Sequence, residues 1–345
     1  MTKEEIIQSF NPNDPGNVEA GIYSLPFTTE QSDIVLIPVP WEATVSYGNG
    51  AWNGPEAILQ ASLQMDLCHY DYPDLWKRGI AMDEVDEALK TLGKTIKGKA
   101  AKIIEALELG KDPQKDEKLK SYYKEVNAAC EKMNKWVEER TQFWLDKGKI
   151  VGLVGGDHSS PLGFLRTLSK QHKSFGILTV DAHMDFRKAY EGFTYSHASI
   201  FYNALQLGQV EKIVQLGIRD YCQEELDFAR NQNKRIAVYY DKAIKRAQMQ
   251  GETVHALFQK IIDELPEKVY VSIDIDGLDP ALCPNTGTPV PGGLQFEETI
   301  YLIQLLKESG RKIIGFDLCE VTPGNDDWDG NVGSRLLYQL CGLAS

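Results

Sequence analysis

The feature of this sequence that most constrains its fold is an alternation between short β-branched runs and helix-like stretches. Eight runs rich in Val, Ile and Leu end at Gly, Asp or Pro, and they span residues 33–40, 79–82, 150–156, 175–183, 212–220, 235–240, 268–276 and 312–318. Helix-like stretches lie between most of them, at residues 54–65, 160–172, 197–207, 242–264 and 296–309. Nearly continuous apolar strands that alternate with helices predict an α/β fold with a buried parallel sheet covered by helices on both faces.

Residues 84–148 interrupt this alternation. They contain no strand signal, many Lys and Glu residues, and helical periodicity. The stretch at residues 110–118 is typical of an exposed turn between two helices. We interpret the segment as a solvated helical excursion from the main domain. The alternative is an oligomer contact or a lid, because long insertions often carry function.

Charge and composition exclude several classes of protein. The net charge of −13 makes nucleic acid and anionic membranes unfavourable partners, whereas a cationic substrate is compatible with it. No segment approaches the ~20 apolar residues of a membrane span, and residues 1–17 lack the apolar core of a signal peptide. The six cysteines are scattered without a CxxC pair, which is typical of free thiols. We therefore expect a cytoplasmic protein.

Polar side chains cluster where three of the predicted strands end, and ligands bind at this edge of open parallel sheets. These side chains are His158, Asp181, His183, Asp185, Asp274 and Asp276. A single His or Asp at a strand end is usually structural, often a turn former or helix cap. So many carboxylates at one edge, however, would be costly without a cation. Six ligands exceed the needs of one zinc ion and suit two divalent ions.

Three motifs carry a specific resemblance. GGDHS at residues 155–159, DAHMD at 181–185 and the segment at 272–294 resemble the three signatures of the ureohydrolase family. That family contains arginases, agmatinases, formiminoglutamases, guanidinobutyrases and guanidine hydrolases. The resemblance runs from about residue 30 to the C-terminus. It implies one three-layer α/β/α domain over residues 1–345, with a mainly parallel eight-stranded sheet of the arginase and deacetylase type. Residues 1–30 would be an N-terminal extension and residues 84–148 a helical insertion.

The resemblance also implies a ligand set, a cofactor and an assembly. One ion would be held by His158, Asp181, Asp185 and Asp274, and the other by His183, Asp181, Asp274 and Asp276. Asp181 and Asp274 would bridge the two ions. Most members of the family use manganese and form trimers or hexamers, so a homo-oligomer such as a homohexamer is expected.

Three residues are predicted to act on the substrate. Glu320 matches the family glutamate that pairs with the substrate guanidinium, a planar cation that binds a carboxylate bidentately. His197 lies where arginases and agmatinases carry a histidine that shuttles protons, although helix capping by Ser196 is an alternative for this stretch. Two ions would lower the pKa of a bridging water toward ~7, and the resulting hydroxide would attack the guanidino carbon. An amine or ammonia would leave with help from Asp276 or His197, and urea would be the product.

The loop after the second motif does not match an arginase. Arginases and agmatinases usually have His-Gly where this chain has His197-Ala198. Residues 185–192 also differ from the usual arginase loop, in which polar residues hold the head group of an α-amino acid. These differences favour a substrate other than arginine.

Two further loops suggest a compact pocket. Thr44 lies in the loop after the first strand, and Trp328 follows Glu320 closely enough to fill space beside it or to stack on a guanidinium. The alternative for Trp328 is a packing residue. The combination resembles the guanidine hydrolase subgroup, whose members can use nickel, and it predicts guanidine or a short guanidino compound as substrate.

Several alternatives stay open. An agmatinase, a guanidinobutyrase or an arginase would use the same ligands. Metal-dependent deacetylases share the fold but carry a single zinc. A non-catalytic metal-binding regulator belongs to a different class and would be expected to have lost metal ligands, none of which is missing here.

Overall fold

The eight predicted strands form one sheet. The computed structural model describes residues 1–17, 19–232 and 234–344. The strands are β1 (Ile34–Val39), β2 (Ile80–Met82), β3 (Ile150–Gly155), β4 (Phe175–Val180), β5 (Val210–Ile218), β6 (Ile236–Tyr240), β7 (Lys268–Asp274) and β8 (Lys312–Cys319). Their order is β2-β1-β3-β8-β7-β4-β5-β6, and every neighbouring pair is parallel. The predicted parallel sheet is therefore confirmed.

Helices cover both faces of this sheet. They are α1 (Lys3–Ser9), α2 (Gly54–Ser62), α3 (Glu87–Glu108), α4 (Glu117–Asp146), α5 (Leu162–Gln171), α6 (Ile200–Ala204), α7 (Gln223–Arg230), α8 (Asp241–Met249), α9 (Val254–Asp263), α10 (Phe296–Glu308) and α11 (Trp328–Ala344). Successive side chains of a strand point to opposite faces. Accordingly, Leu36 of β1 packs in one hydrophobic cluster with α2, α10 and α11, and Val35 packs in a second cluster with α3 to α6. The result is the predicted three-layer arrangement.

The segment at residues 84–148 is helical as predicted, but it does not extend away from the domain. A short 3₁₀ turn at Pro113–Lys115 joins α3 and α4 within the predicted exposed turn. Val126, Met133 and Val137 of α4 are fully buried, and they share the second cluster with Val35 of β1. The apolar stripe of α4 thus covers the sheet, so a solvated excursion is the wrong description of this segment.

The single helical stretch predicted at residues 242–264 is two helices, α8 and α9. The break falls at Gly251, whose φ of +95° lies in the left-handed region that ends helices. Thr253 then begins α9, because its side chain accepts a hydrogen bond from the Ala256 amide at 3.2 Å. None of the helices in the described part of the chain is both long and apolar enough to cross a membrane.

Candidate active site

The centre of the sheet brings the polar strand ends together. Strands β3, β8, β7 and β4 are consecutive neighbours, and their carboxyl ends lie at the same edge. The side chains at this edge are His158 after β3, Asp181, His183 and Asp185 after β4, Asp274 and Asp276 at the end of β7, and Glu320 after β8. The six residues predicted as metal ligands are thus placed in one cluster by the strand order.

His158 faces three carboxylates. Its Nδ1 lies 3.2 Å from Oδ2 of Asp181, 3.2 Å from Oδ2 of Asp185 and 3.3 Å from Oδ2 of Asp274. Its Nε2 lies 3.0 Å from Oγ of Ser272. When Nε2 donates its proton to Ser272, Nδ1 of the neutral ring presents its lone pair to the centre of the carboxylates.

A second group forms around His183. Its Nδ1 lies 3.0 Å from Oδ2 of Asp276 and 3.8 Å from Oδ1 of Asp181. Asp181 therefore belongs to two sets of side chains whose ligand atoms are close enough to hold a metal ion, one with His158 and Asp185 and the other with His183 and Asp276. This geometry suits two neighbouring ions that share one carboxylate.

The polar atoms of the cluster lack partners that a cation would supply. Within the described residues, Nδ1 of His158 and Oδ2 of Asp181 are buried without a hydrogen-bond partner. Burial and the neighbouring Asp185 carboxylate raise the pKa of Asp181 to about 7, and burial raises the pKa of Asp185 to about 6. Imidazole nitrogens with carboxylate oxygens are a suitable ligand set for divalent transition metals. The residues present therefore fit two divalent ions.

Two site residues adopt backbone conformations that side chains other than Gly rarely take. The φ of Asp185 is +54° and that of Glu320 is +63°. Such residues cost of order 1–3 kcal/mol each and persist where the surroundings impose them. For Glu320 the surroundings are hydrogen bonds: its amide donates to the Gly156 carbonyl at 2.8 Å, and its Oε1 accepts from the His158 amide at 2.8 Å. These hydrogen bonds hold the Glu320 backbone in this conformation and place its carboxylate beside His158.

A cavity of about 290 Å³ opens above the cluster. Its lining includes five of the predicted metal ligands, all except Asp181, together with Glu320, His197, Val45, Ser46, Tyr47, Arg187, Tyr190, Ala198, Asp220, Tyr221, Cys222, Glu225, Gly287 and Thr288. Sequence reasoning did not assign a role to the tyrosines, Asp220 or Glu225. Asp220 and Tyr221 come just after Arg219 at the end of β5, so the strand-end rule could have found them, whereas Tyr47 and Tyr190 lie farther along their loops.

His197 lines this cavity and also begins a helical turn. Oγ of Ser196 accepts a hydrogen bond from the Ala198 amide at 3.3 Å, so the capping alternative describes Ser196 correctly. The His197 ring packs edge-on against Tyr190, with centroids 5.9 Å apart. Burial, with the nearby charge of His183, lowers the pKa of His197 to about 4. The ring is therefore neutral near neutral pH.

Thr44 and Trp328 do not line the cavity among the described residues. Thr44 is buried, and the neighbouring residues 45–47 are the part of its loop that reaches the cavity. Trp328 is the first residue of α11, its side chain is 45% exposed, and its indole Nε1 donates to the Ala281 carbonyl at 3.0 Å. The expectation that the Trp328 ring fills the space beside Glu320 is wrong for this structure, because that hydrogen bond holds the ring elsewhere.

Comparisons with known proteins identify the family. The arginase family matches residues 32–342. An N(1)-aminopropylagmatine ureohydrolase of Thermus thermophilus is 30% identical over 91% of both chains, and the agmatinase of Pyrococcus horikoshii is 29% identical over 92% of this chain and 93% of its own. The solved structure of proclavaminate amidino hydrolase from Streptomyces clavuligerus superposes with a TM-score of 0.73 at 23% identity, covering 96% of this chain and 99% of that one. The chain therefore belongs to the arginase family and is a hydrolase of guanidino C–N bonds.

Proposed function

We propose that this enzyme holds two divalent ions and hydrolyses guanidine or a short guanidino compound to urea and ammonia or an amine. The observation that carries the proposal is the cavity of about 290 Å³, which has the metal-ligand cluster and Glu320 in its wall. Ligand pockets usually measure roughly 300–1,000 Å³, so this one is small. A small cavity supports a substrate without a long tail.

Glu320 is proposed to hold the guanidinium. Its Oε1 already accepts the His158 amide, so Oε2, which faces the Gly287 loop, is the oxygen left for the substrate. Burial and the nearby Asp274 carboxylate raise the pKa of Glu320 well above its usual range. A cationic substrate favours the ionised carboxylate, so binding and ionisation support each other. Because Oε1 is already engaged, the guanidinium is expected to contact Oε2 alone, and not both oxygens as the sequence predicts.

The ions would be held by His158, Asp181, Asp185 and Asp274 on one side and by His183, Asp181, Asp274 and Asp276 on the other. When bound, two divalent ions lower the pKa of a water molecule and so supply a nucleophile at neutral pH. Asp276 is proposed to take the proton that the attacking water releases as it adds to the guanidino carbon. His197, whose neutral ring lies at the cavity wall, is proposed to relay that proton to the departing nitrogen as the C–N bond breaks.

The ion, the assembly and the location are also part of the proposal. We propose manganese or nickel, since the ligand set of His nitrogens and carboxylates accepts either. We propose a homo-oligomer, a trimer or a hexamer, in the cytoplasm. Metal analysis and the mass of the assembly in solution test the first two points.

Agmatine or a related amine is the second candidate substrate. It is supported by the similarity to an aminopropylagmatine ureohydrolase and to an agmatinase. The carboxylate of Asp220, 67% exposed at the cavity, is placed where it could attract the ammonium of such a tail.

The test is a urea-release assay with guanidine, guanidinobutyrate, agmatine and arginine, each with manganese-loaded and nickel-loaded enzyme. The proposal expects the highest kcat/KM with guanidine or guanidinobutyrate. A much higher kcat/KM with agmatine would replace it by the second candidate. Full metal occupancy without urea from any compound would instead favour a non-catalytic regulator.

A further inference from the structure

The loop after β1 is closed by one buried carboxylate. Oε2 of Glu42 accepts hydrogen bonds from the Gly50 amide at 2.8 Å and the Trp52 amide at 3.2 Å. The chain between these residues includes 45–47, which line the cavity. We call residues 41–53 the β1 loop. Glu42 thus fixes the shape of one wall of the cavity.

A lysine from the helical insertion neutralises this carboxylate. Lys97 of α3 forms an ion pair with Oε1 of Glu42, and the two side chains are only 16% and 1% exposed. The Lys97 ammonium also lies 4.6 Å from the centre of the Trp52 ring, a cation–π contact within the same loop. A buried carboxylate without such a partner is strongly unfavourable. The conformation of the β1 loop therefore depends on α3.

The loop after β4 is held by the second helix of the insertion. Oδ1 of Asn127, on α4, accepts from the Thr194 amide at 2.8 Å, and its Nδ2 donates to the Gly192 carbonyl at 3.4 Å. The buried Phe193 ring packs against Tyr123 of α4, with centroids 5.6 Å apart. We call residues 185–197 the β4 loop. It supplies a second part of the cavity wall, with Tyr190 and His197.

We propose that α3 and α4 form a support that positions both walls of the substrate cavity, with Lys97 and Asn127 as its positioning residues. The two helices pack against each other, so the β1 loop and the β4 loop are fixed relative to one another. None of the residues that bind the proposed ions lies on this support, since those ligands come from strand ends. The inference rests on this cavity being the site of the proposed function. It means that the helical insertion controls the width of the cavity.

The first experiment measures backbone hydrogen exchange and does not depend on activity. Lys97→Met is expected to increase exchange of the Gly50 and Trp52 amides by at least tenfold, because the unpaired Glu42 leaves its buried position. The matched control is Lys94→Met, since the Lys94 ammonium lies 5.6 Å from the same Trp52 ring and has no carboxylate partner among the described ion pairs. The double variant Glu42→Gln with Lys97→Met removes both charges, keeps an acceptor for the two amides and is expected to restore protection.

The same measurement applies to the second positioning residue. Asn127→Ala is expected to increase exchange of the Thr194 amide, whereas Lys124→Ala, at an exposed position of the same helix, is not. Unchanged exchange in both Lys97→Met and Asn127→Ala would overturn the inference. An increase in amide exchange that is spread evenly over the central strands, and that the double variant does not reverse, would also overturn the inference. That pattern would indicate a role in stability alone.

Kinetics with whichever guanidino compound the wild type hydrolyses supply the second readout. Both single variants are expected to keep the wild-type metal content and to raise KM about tenfold with a much smaller change in kcat, because displaced walls weaken substrate positioning. Parallel loss of bound metal and kcat at unchanged KM would contradict the inference. If the wild type hydrolyses none of the compounds, the proposed function fails, and the exchange data still decide the role of α3 and α4.

Discussion

In three aspartates of the site, the two carboxylate oxygens have different partners. Oδ1 of Asp181 accepts from the His183 amide at 2.6 Å, Oδ1 of Asp274 from the Asp276 amide at 2.9 Å, and Oδ1 of Asp276 from the Ala182 amide at 3.1 Å. In each case Oδ2 is the oxygen nearer to a histidine of the cluster, and Oδ1 of Asp181 in addition lies 3.8 Å from Nδ1 of His183. One oxygen therefore fixes the rotamer through the backbone, and the other is left for a cation. Such anchoring reduces the reorganisation needed when an ion binds.

The two carboxylate oxygens of Glu320 also differ, since Oε1 accepts the His158 amide and Oε2 does not. Substitution of this residue gives the clearest test of a single side chain. Glu320→Gln keeps an oxygen for the His158 amide and removes the negative charge proposed to face the guanidinium. We expect kcat/KM to fall roughly a hundredfold, about 2.7 kcal/mol, with the metal content unchanged. The measurement is steady-state urea release together with metal analysis.

The matched control is Glu224→Gln, which removes an exposed carboxylate on α7. It is expected to leave kcat/KM within about twofold of the wild type, since exposed charges contribute little. Equal kinetics for Glu320→Gln and the wild type would exclude Glu320 as the group that binds the guanidinium.

At the scale of elements, the sequence predicts the strands better than it predicts where helices break and which way loop side chains point. The eight β-branched runs have a strong local signal and are all strands. The break at Gly251 escapes detection, because a single Gly does not disturb the helical periodicity on either side. Trp328 is misplaced for a related reason. The strand-end rule identifies which loops reach the site, but it does not give the direction of a ring that a distant carbonyl, here that of Ala281, can hold.

The contact between α4 and α5 depends on a glycine. A Cβ at Gly163 would lie 2.3 Å from the Asn134 carbonyl oxygen and 2.7 Å from Cβ of Val137, both on α4. Gly163→Ala is therefore expected to destabilise the protein by about 2–3 kcal/mol, although Ala is the better helix former by about 1 kcal/mol. The measurement is urea denaturation followed by circular dichroism.

Gly98 of α3 is the matched control, because a Cβ there would meet no atom within 4 Å. Gly98→Ala is expected to stabilise the protein by up to about 1 kcal/mol. The steric explanation would be refuted if the two substitutions changed stability in the same direction.

At the scale of the whole molecule, the grouping of His and Asp side chains at the strand ends was predictable and the cavity walls were not. Residue type and strand-end position are local properties, so the cluster from His158 to Asp276 could be assembled from the sequence. The walls depend on contacts between segments far apart in the chain, such as Lys97 with Glu42 and Asn127 with Thr194. Lysine and asparagine on polar helices are common, so nothing in their local sequence distinguishes these two from solvated residues.

Binding of the proposed ions to this cluster would be coupled to the stability of the whole chain. In the absence of ions, the pKa of Asp181 is raised to about 7 and that of Asp185 to about 6, whereas the ordinary value for both is 3.8. The folded metal-free protein therefore binds more protons than the unfolded chain between about pH 4 and pH 7, and its stability falls as the pH rises through this range. The proposed divalent ions would remove this dependence, because metal ligands are deprotonated and their charge is compensated by the ions.

Metal loading is accordingly expected to raise Tm more at pH 7.5 than at pH 5. At pH 7.5 and an ion concentration about a hundred times Kd, binding contributes roughly 2.7 kcal/mol per site, and the two sites together correspond to a rise in Tm of about 7 °C for a chain of this length. The measurement is differential scanning calorimetry of chelator-treated and reloaded protein at both pH values. A rise in Tm that is the same at pH 5 and pH 7.5 would mean that the buried carboxylates do not hold protons in the metal-free protein, and the electrostatic reason for assigning ions to this cluster would be lost.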